Sequence, residues 1–549
     1  MARTFRIFPG IGIARLGSAD DHFVGPEVPF QGPIEADGTP VARFRDALGN
    51  ARGQAARFRI FEFDDDLPSD PGREVEVGRD GIEEIEWRVH LANKKATWYG
   101  FAGLVGEEGA HQYSRYGIPR RNGVDGSDPG WRDYLIDPGP RRVRGPGRRA
   151  DFDGPYFPVI EPRPMTTLGR ILTDARSRLL VCAGEGISGH TDRWRGLALD
   201  AFNNEEWFDD VADGPVEATV TLADGTEVAA DPAWVLATPP NFVPHLDSVV
   251  TLYDLLYDLA IEHFGLEPAI RSRNSGYRPN FATEIRPLLE RATNVFRFVW
   301  SLTVTWHDWL LDELGDPTRA HALREVLFER LRKPGQQNVF RNQNFELMPR
   351  LAGDNIGITD RISPDLPHHD FVTVTATQAF LMERWAKGSF RNEPPAGGLT
   401  PRGLDRASLE ACVGAAFCPG IEVGWIIRNP AIHRGPFRLR GKPITGEPLS
   451  FDDDPAGLEP GDLGKRMAIP WQTDFHACET DRVGSAITAW WPAQRPIDVL
   501  PSADAPGPKK WVRDAPGAWD FIERWHRDLR FVVRGRDADG EELLHEEES

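Results

Sequence analysis

The chain has 549 residues and a net charge of -20, with 40% hydrophobic and 27% charged residues, so more than one structural unit is expected. The negative charge argues against nucleic-acid and anionic-membrane partners, and no run of about 18 apolar residues is present to cross a bilayer. The first residues lack a secretory pattern, which predicts cytoplasmic synthesis and is compatible with later non-classical export.

In chain order, Arg57 to Phe63 and Ile85 to His90 bunch or alternate β-formers between Gly, Pro and Asp clusters, which predicts strands. Residues 116–165 are crowded with Pro, Gly and Arg and read as irregular connections. Within them Arg141-Arg-Val-Arg-Gly-Pro-Gly-Arg-Arg149 reads as a solvated or ion-paired loop. Strand signals return at Leu179–Cys182 and Val216–Leu222, with a tight turn at Asp224-Gly225. After Pro239-Pro240 the periodicity becomes helical, over Val249–Phe264, Ile285–Phe298, Arg319–Leu331, Ala376–Lys387, Ser408–Phe417 and Trp519–Leu529. The acidic end, Glu541–Ser549, reads as a solvated tail. Together these predict an α+β chain with a β-rich domain over residues 1–240 and a helix-and-loop-rich domain over 241–549 that carries the active site.

Most chemical motifs fail. Gly10-Ile-Gly12 follows a proline and leads to no long helix, against a dinucleotide site. No GxxxxGK[ST], GxSxG or HExxH is present. His368-His369-Asp370 lies in a Pro-rich stretch and reads as solvated rather than metal-binding. The four cysteines, Cys182, Cys412, Cys418 and Cys478, show no CxxC pairing; Cys182 and Cys412 read as core.

The informative stretches are Phe417–Trp425 and Asp474–Pro496, the second of which places Asp474, His476 and Cys478 about a dozen residues before Trp490-Trp491. With Pro9–Gly17, Gly53–Phe61, His90–Trp98 and Asp213–Val216, these segments resemble the lysine epsilon-oxidase-like (LodA-like) amine and amino-acid oxidases nearly end to end. The resemblance implies a cysteine tryptophylquinone made from Cys478 and either Trp490 or Trp491, with no metal. It makes Asp474, four residues before the cysteine, a residue of cofactor formation and a candidate base. It also implies a flavin-dependent maturation enzyme as partner, a primary amine and O2 as substrates, and H2O2 and ammonia as products. A homo-oligomer is expected. His476, by proximity, and Cys418, by family position, complete the candidate site, although a structural role is the stronger reading for His476.

Two departures stand out. Phe8-Pro9 replaces the family's His-Pro, and only eleven residues separate Cys478 from Trp490, so lysine specificity is not carried over. The competing readings are an inactive homologue with unmodified side chains, and a thiol or metal enzyme built on Cys478, His476 and Asp474.

Overall fold

The computed structural model describes the chain apart from residues 1–2, 65–70, 102–116, 156, 192–198, 201, 296–309, 338–346, 350, 352, 354–370, 396, 415–420, 478–479, 484–486, 491–493 and 549; residues 477, 480–483 and 487–490 are described in backbone only. The fold is α+β. Its largest element is a sheet built from β1 (Thr4–Phe8), β2 (Ile11–Arg15), β3 (Gly53–Phe63), β4 (Ile82–Val89), β5 (Arg141–Arg144), β6 (Arg149–Asp153), β7 (Thr167–Thr173), β8 (Leu179–Ala183), β10 (Ala212–Leu222) and β11 (Ala233–Thr238). A short strand β9 (Trp207–Asp209) precedes β10. The sheet runs β5-β4-β10-β11-β2-β3-β8-β7-β6, with β1 added on β3.

Alternation accounts for the strands. Along β3 the period of two puts Arg57 and Arg59 on one face, where both are buried and share Glu27, at 2.5 and 2.8 Å. The run Ala-Trp-Val-Leu-Ala-Thr of β11 is buried throughout and lies parallel to β2, as a strand covered on both faces should be.

The arginine-rich stretch corrects the sequence reading. It forms strands β5 and β6, joined through Gly145 and Gly147, whose φ values of 72° and 66° suit glycine. Its guanidiniums are ion-paired as expected, for example Arg142 with Glu86 at 3.3 Å and Arg149 with Asp151 at 2.7 Å. Because β5 and β6 are the two edges of the sheet, this turn brings the edges together and nearly closes it.

Beyond Thr238 helices follow: α1 (Leu252–Phe264), α2 (Arg286–Asn294), α3 (His321–Glu329), α4 (Ala376–Ala386), α5 (Pro401–Glu410), α6 (Trp471–Ala477) and α7 (Ala518–Asp528). Thr251 caps α1 in a capping box with Asp254, and Gly265 closes it at φ 72°. The helix expected over Ser408–Phe417 is corrected to α5, which starts earlier, at the Thr400 cap with Pro401 in the first turn, and ends at Glu410. Gly403 in its first turn weakens the helical signal there, and after Glu410 the backbone turns away so that Val413 bridges Thr251.

The acidic end is also corrected. A strand β14 (Val532–Arg536) pairs with β15 (Glu542–Glu546); Glu546 is buried against Arg513 at 2.5 Å, and Glu547 accepts from the Phe44 amide at 2.6 Å. Complementary arginine and an unpaired amide draw carboxylates inward that composition alone assigns to solvent. One core lies on the sheet, around Trp87, Trp207 and Val235; another, among the helices, gathers Trp385, Trp471, Trp511 and Trp525. No helix among the described residues is long and apolar enough to cross a membrane.

Candidate functional site

Helix α6 carries Asp474 and His476. Its first residue, Trp471, is fully buried and meets Phe475 and Trp525 edge-on at 5.3 and 5.4 Å; burying each such ring contributes about 1.5–3 kcal/mol. Packing alone leaves a short helix free to slide, and buried polar contacts fix its register. The Trp471 amide donates to Asp209 Oδ2 at 3.0 Å. The same oxygen accepts from Lys95 Nζ at 2.5 Å, and Asn93 Nδ2 donates to the other carboxylate oxygen at 3.1 Å. Gln472 accepts from Ser188 Oγ at 2.6 Å and donates to the Gly186 carbonyl at 3.1 Å. Gly186, at φ 75°, leaves no room for a Cβ, which would stand 2.1 Å from the Trp525 ring.

Charge is concentrated beneath this anchor. Lys94 reaches Glu459 and Asp462, at 3.0 and 2.9 Å, and Lys465 reaches Asp462 at 2.7 Å. Burial works against the Asp462 carboxylate, but Lys465 and Lys94 outweigh it and hold its pKa below the usual carboxylate range. Burial lowers Lys95, which Asp209 only partly offsets. Two neighbours go the other way: burial pushes Asp210 up to about 8 and Asp213 up to about 7, although backbone amides of Gly186, Ile187, Gly464 and Leu463 donate to them.

Asp474 lies in the first turn of α6 and is fully buried. His476 is half-buried; its ring meets Phe521 of α7 at 5.4 Å and its Nε2 lies 3.3 Å from the Pro516 carbonyl. These partners are structural ones, on α7 and the turn before it. Cys478, Trp491 and Cys418 lie outside the described residues, and Trp490 is described in backbone only.

The backbone that follows α6 forms a hairpin of β12 (Thr480–Val483) and β13 (Ile487–Trp490), whose register sets Thr480 opposite Trp490. Facing residues in an antiparallel pair have Cα atoms about 4.5–5.5 Å apart. In the sequence Cys478 precedes Thr480 by two residues and Trp491 follows Trp490 directly.

Three separate segments are tied together by the residues that follow the hairpin. Arg495, buried, donates from Nε to the Phe475 carbonyl of α6 at 2.7 Å and from Nη1 to the Pro496 carbonyl at 2.7 Å. Gln494 accepts from Ser248 Oγ at 3.2 Å and donates to Glu422 Oε1 at 3.5 Å. Glu422 in turn pairs with Arg15 of β2 at 2.7 Å and accepts from the Val413 amide at 3.2 Å. Val413, Glu422, the segment that follows the hairpin and the Asp474 helix are thus joined through Glu422, Gln494 and Arg495; Cys418, between 413 and 422 in the sequence, lies outside the described residues.

Sequence reasoning did not single out Arg15, Lys94, Lys95, Asp209, Glu422, Gln494 or Arg495. All except Asp209 sit inside the quoted segments, as charged or amide residues in otherwise apolar or small-residue runs, and that mismatch was the available signal. Cys182 and Cys412 are core thiols; burial pushes Cys182 up to about 11 and Cys412 well above its ordinary value, the opposite of an activated cysteine. Among the described residues no group of three His, Cys, Asp or Glu side chains is arranged to hold a metal ion.

The comparisons with known proteins agree with one another. A family model for the L-lysine epsilon oxidase N-terminal region matches residues 8–237, and one for the L-lysine epsilon oxidase C-terminal domain matches residues 354–496. The L-lysine 6-oxidase of Marinomonas mediterranea is 30% identical over 535 residues, covering 87% of this chain and 71% of that protein. The crystal structure of the L-Lys epsilon-oxidase from Marinomonas mediterranea superposes with a TM-score of 0.85 at 26% identity, covering 99% of this chain and 94% of the other. A second crystal structure of that enzyme, described as its Schiff base intermediate with L-Lys, superposes with a TM-score of 0.83 at the same identity and coverage.

Proposed function

Because the chain belongs to the L-lysine epsilon-oxidase family, we propose that it oxidatively deaminates a primary amine, an amino acid or a related amine, with O2 as acceptor. The overall balance is amine plus O2 plus water going to carbonyl product, ammonia and H2O2. What supports this reading is the family match, together with the buried Asp474 on the helix that leads into the hairpin ending at Trp490.

The residues present fit a cysteine tryptophylquinone. In sequence Cys478 stands two residues before the strand that pairs with β13, Trp490 ends β13 and Trp491 follows it, and a buried carboxylate, Asp474, stands four residues before the cysteine on the preceding helix. Cys478 and one of Trp490 and Trp491 would constitute the group. When formed, it supplies an electrophilic carbonyl and a two-electron sink that ordinary side chains lack.

The chain's own residues do the rest. Asp474 takes the proton from the Cys478 thiol, since thiolate is the nucleophilic form, and is placed to hold a substrate proton afterwards. Its helix cannot drift, because Asp209, Lys95 and Gln472 hold the N-terminal end and Arg495 holds Phe475. Such fixation of a proton-handling group is what positioning supplies to a rate. Cys418 is assigned to the site from the family resemblance. His476 contributes packing on α7. A flavin-dependent maturation enzyme would catalyse the oxidation of the indole, with O2 as the oxidant.

Peptide mass spectrometry on protein co-produced with such a partner tests the assignment. The expected result is a Cys478-tryptophan cross-link carrying two added oxygens, with the peptide also naming the tryptophan. An unmodified Cys478 in matured protein overturns the reading, as does amine turnover that yields peroxide without ammonia.

A further inference from the structure

A cavity of about 510 Å³ lies beside the converging segments, lined among others by Phe30, Pro244, His245, Asp247, Arg291 and Arg534. It borders the site through one step of chain: Asp247 precedes Ser248, whose hydroxyl donates to Gln494. Neither the fold nor the proposed chemistry has used it.

Two opposite charges face this cavity without closing on each other. Asp247 receives no hydrogen bond and no ion pair within 4 Å among the described residues. Arg291 donates from Nε to the Pro287 carbonyl at 3.1 Å and pairs Nη1 with Asp254 at 3.1 Å, which leaves Nη2 without an acceptor among the described residues. Arg534 is already held by Glu542 at 2.8 Å and by the His245 carbonyl at 3.2 Å. Burial, then Glu410 and Asp254, push the Asp247 pKa up to about 7 against the pull of Arg291 and Arg534, so the field at this carboxyl favours an arriving cation. A half-buried carboxylate and a buried guanidinium that line one cavity without pairing are left incompletely neutralised unless a ligand or water completes them. A ligand with both charges completes them together.

We propose that this cavity is a zwitterion-binding chamber, in which Asp247 takes the ammonium and Arg291 the carboxylate of a small amino acid, and that it lies on the path to the reactive hairpin. Its role in turnover rests on the oxidase reading; its ability to bind does not.

The test has a binding arm and a turnover arm. Calorimetry uses the full-length Cys478→Ala protein, which cannot form the thioether, titrated with ω-amino acids of increasing chain length and with alkylamines and alkylcarboxylates of matching length. A zwitterion of one preferred length is expected to bind, and deleting either charge to weaken it about tenfold or more. Asp247→Asn should abolish the preference for the ammonium, and Arg291→Lys, which keeps the charge near Asp254, should weaken the preference for the carboxylate. Singly charged analogues binding as tightly as the zwitterion, or unchanged binding in the Asp247→Asn protein, overturns the chamber. In matured protein, Asp247→Asn should raise KM about tenfold or more with kcat within about threefold; an unchanged KM overturns the role in turnover. If matured wild-type protein makes no peroxide from any amine, the oxidase reading fails, and calorimetry still decides the chamber.

Discussion

Helix α6 is held from two sides that differ in kind. On the sheet side the anchors are fully buried ion pairs, Lys95 with Asp209 and Lys94 with Asp462, set on short strands and turns. On the hairpin side, Arg495, Gln494, Glu422 and Arg15 link segments from four distant parts of the chain, largely through single hydrogen bonds to carbonyls and amides. The first arrangement is built for stability, since each member would leave a buried charge behind if removed. The second is built for placement, since it holds together the stretches that carry the reactive residues.

The sharpest way to break this division is to cut one anchor on each side. Lys95→Met strands Asp209 among buried groups and should cost about 3–5 kcal/mol of stability, read by denaturant unfolding. Arg495→Met removes charged hydrogen bonds to the Phe475 and Pro496 carbonyls and should cost less, about 2–3 kcal/mol, but should lower the fraction of cross-linked Cys478 in folded protein at least severalfold. Equal cross-linking in both variants would show that the hairpin side has no special part in placement.

A pH series sharpens the sheet side. Asp210 and Asp213 have pKa values pushed up to about 8 and about 7, so the stability they contribute is fully present below their unfolded value near 4 and is lost as pH rises through 7 and 8. Asp462 is shifted down and works in the opposite sense, its stability being lost only in acid. Asp210→Asn keeps an acceptor for the Gly186 and Ile187 amides. Its melting temperature should equal that of wild type near pH 4 and exceed it increasingly up to about pH 8, by a stability difference on the order of a few kcal/mol. The smallest effect is expected at His476, which meets Phe521 and the Pro516 carbonyl. His476→Ala should cost about 1 kcal/mol and leave kcat within about twofold; a large loss of kcat with unchanged stability would return it to the catalytic group.

Much of the framework was legible because its signals are local. Thr251 with Asp254, and Thr375 with Gln378, announce α1 and α4 by capping, and Gly265 announces a stop. Helix α5 was displaced in the sequence reading because Gly403 masks a start that Thr400 and Pro401 supply. The arginine strands and the acidic end were misread for one common reason: a charge looks solvated until its partner, Glu86 or Arg513, is brought to it from elsewhere in the chain. The candidate site was legible through resemblance for Asp474, Cys478 and the tryptophans. Its supports were not, because a lysine such as Lys95 meets Asp209 only after folding, and no spacing in the sequence encodes that meeting.

The contact between Arg15 and Glu422 spans 407 positions, and that between the Gly10 amide and Asp405 spans 395. Links of such sequence distance carry a large closure entropy and form late. The Arg15 guanidinium of β2 can meet the Pro239 carbonyl earlier, but Glu422 only after most of the chain has been folded in. The buried frame of Arg15, Glu422, Gln494 and Arg495 therefore closes only when segments hundreds of positions apart have met.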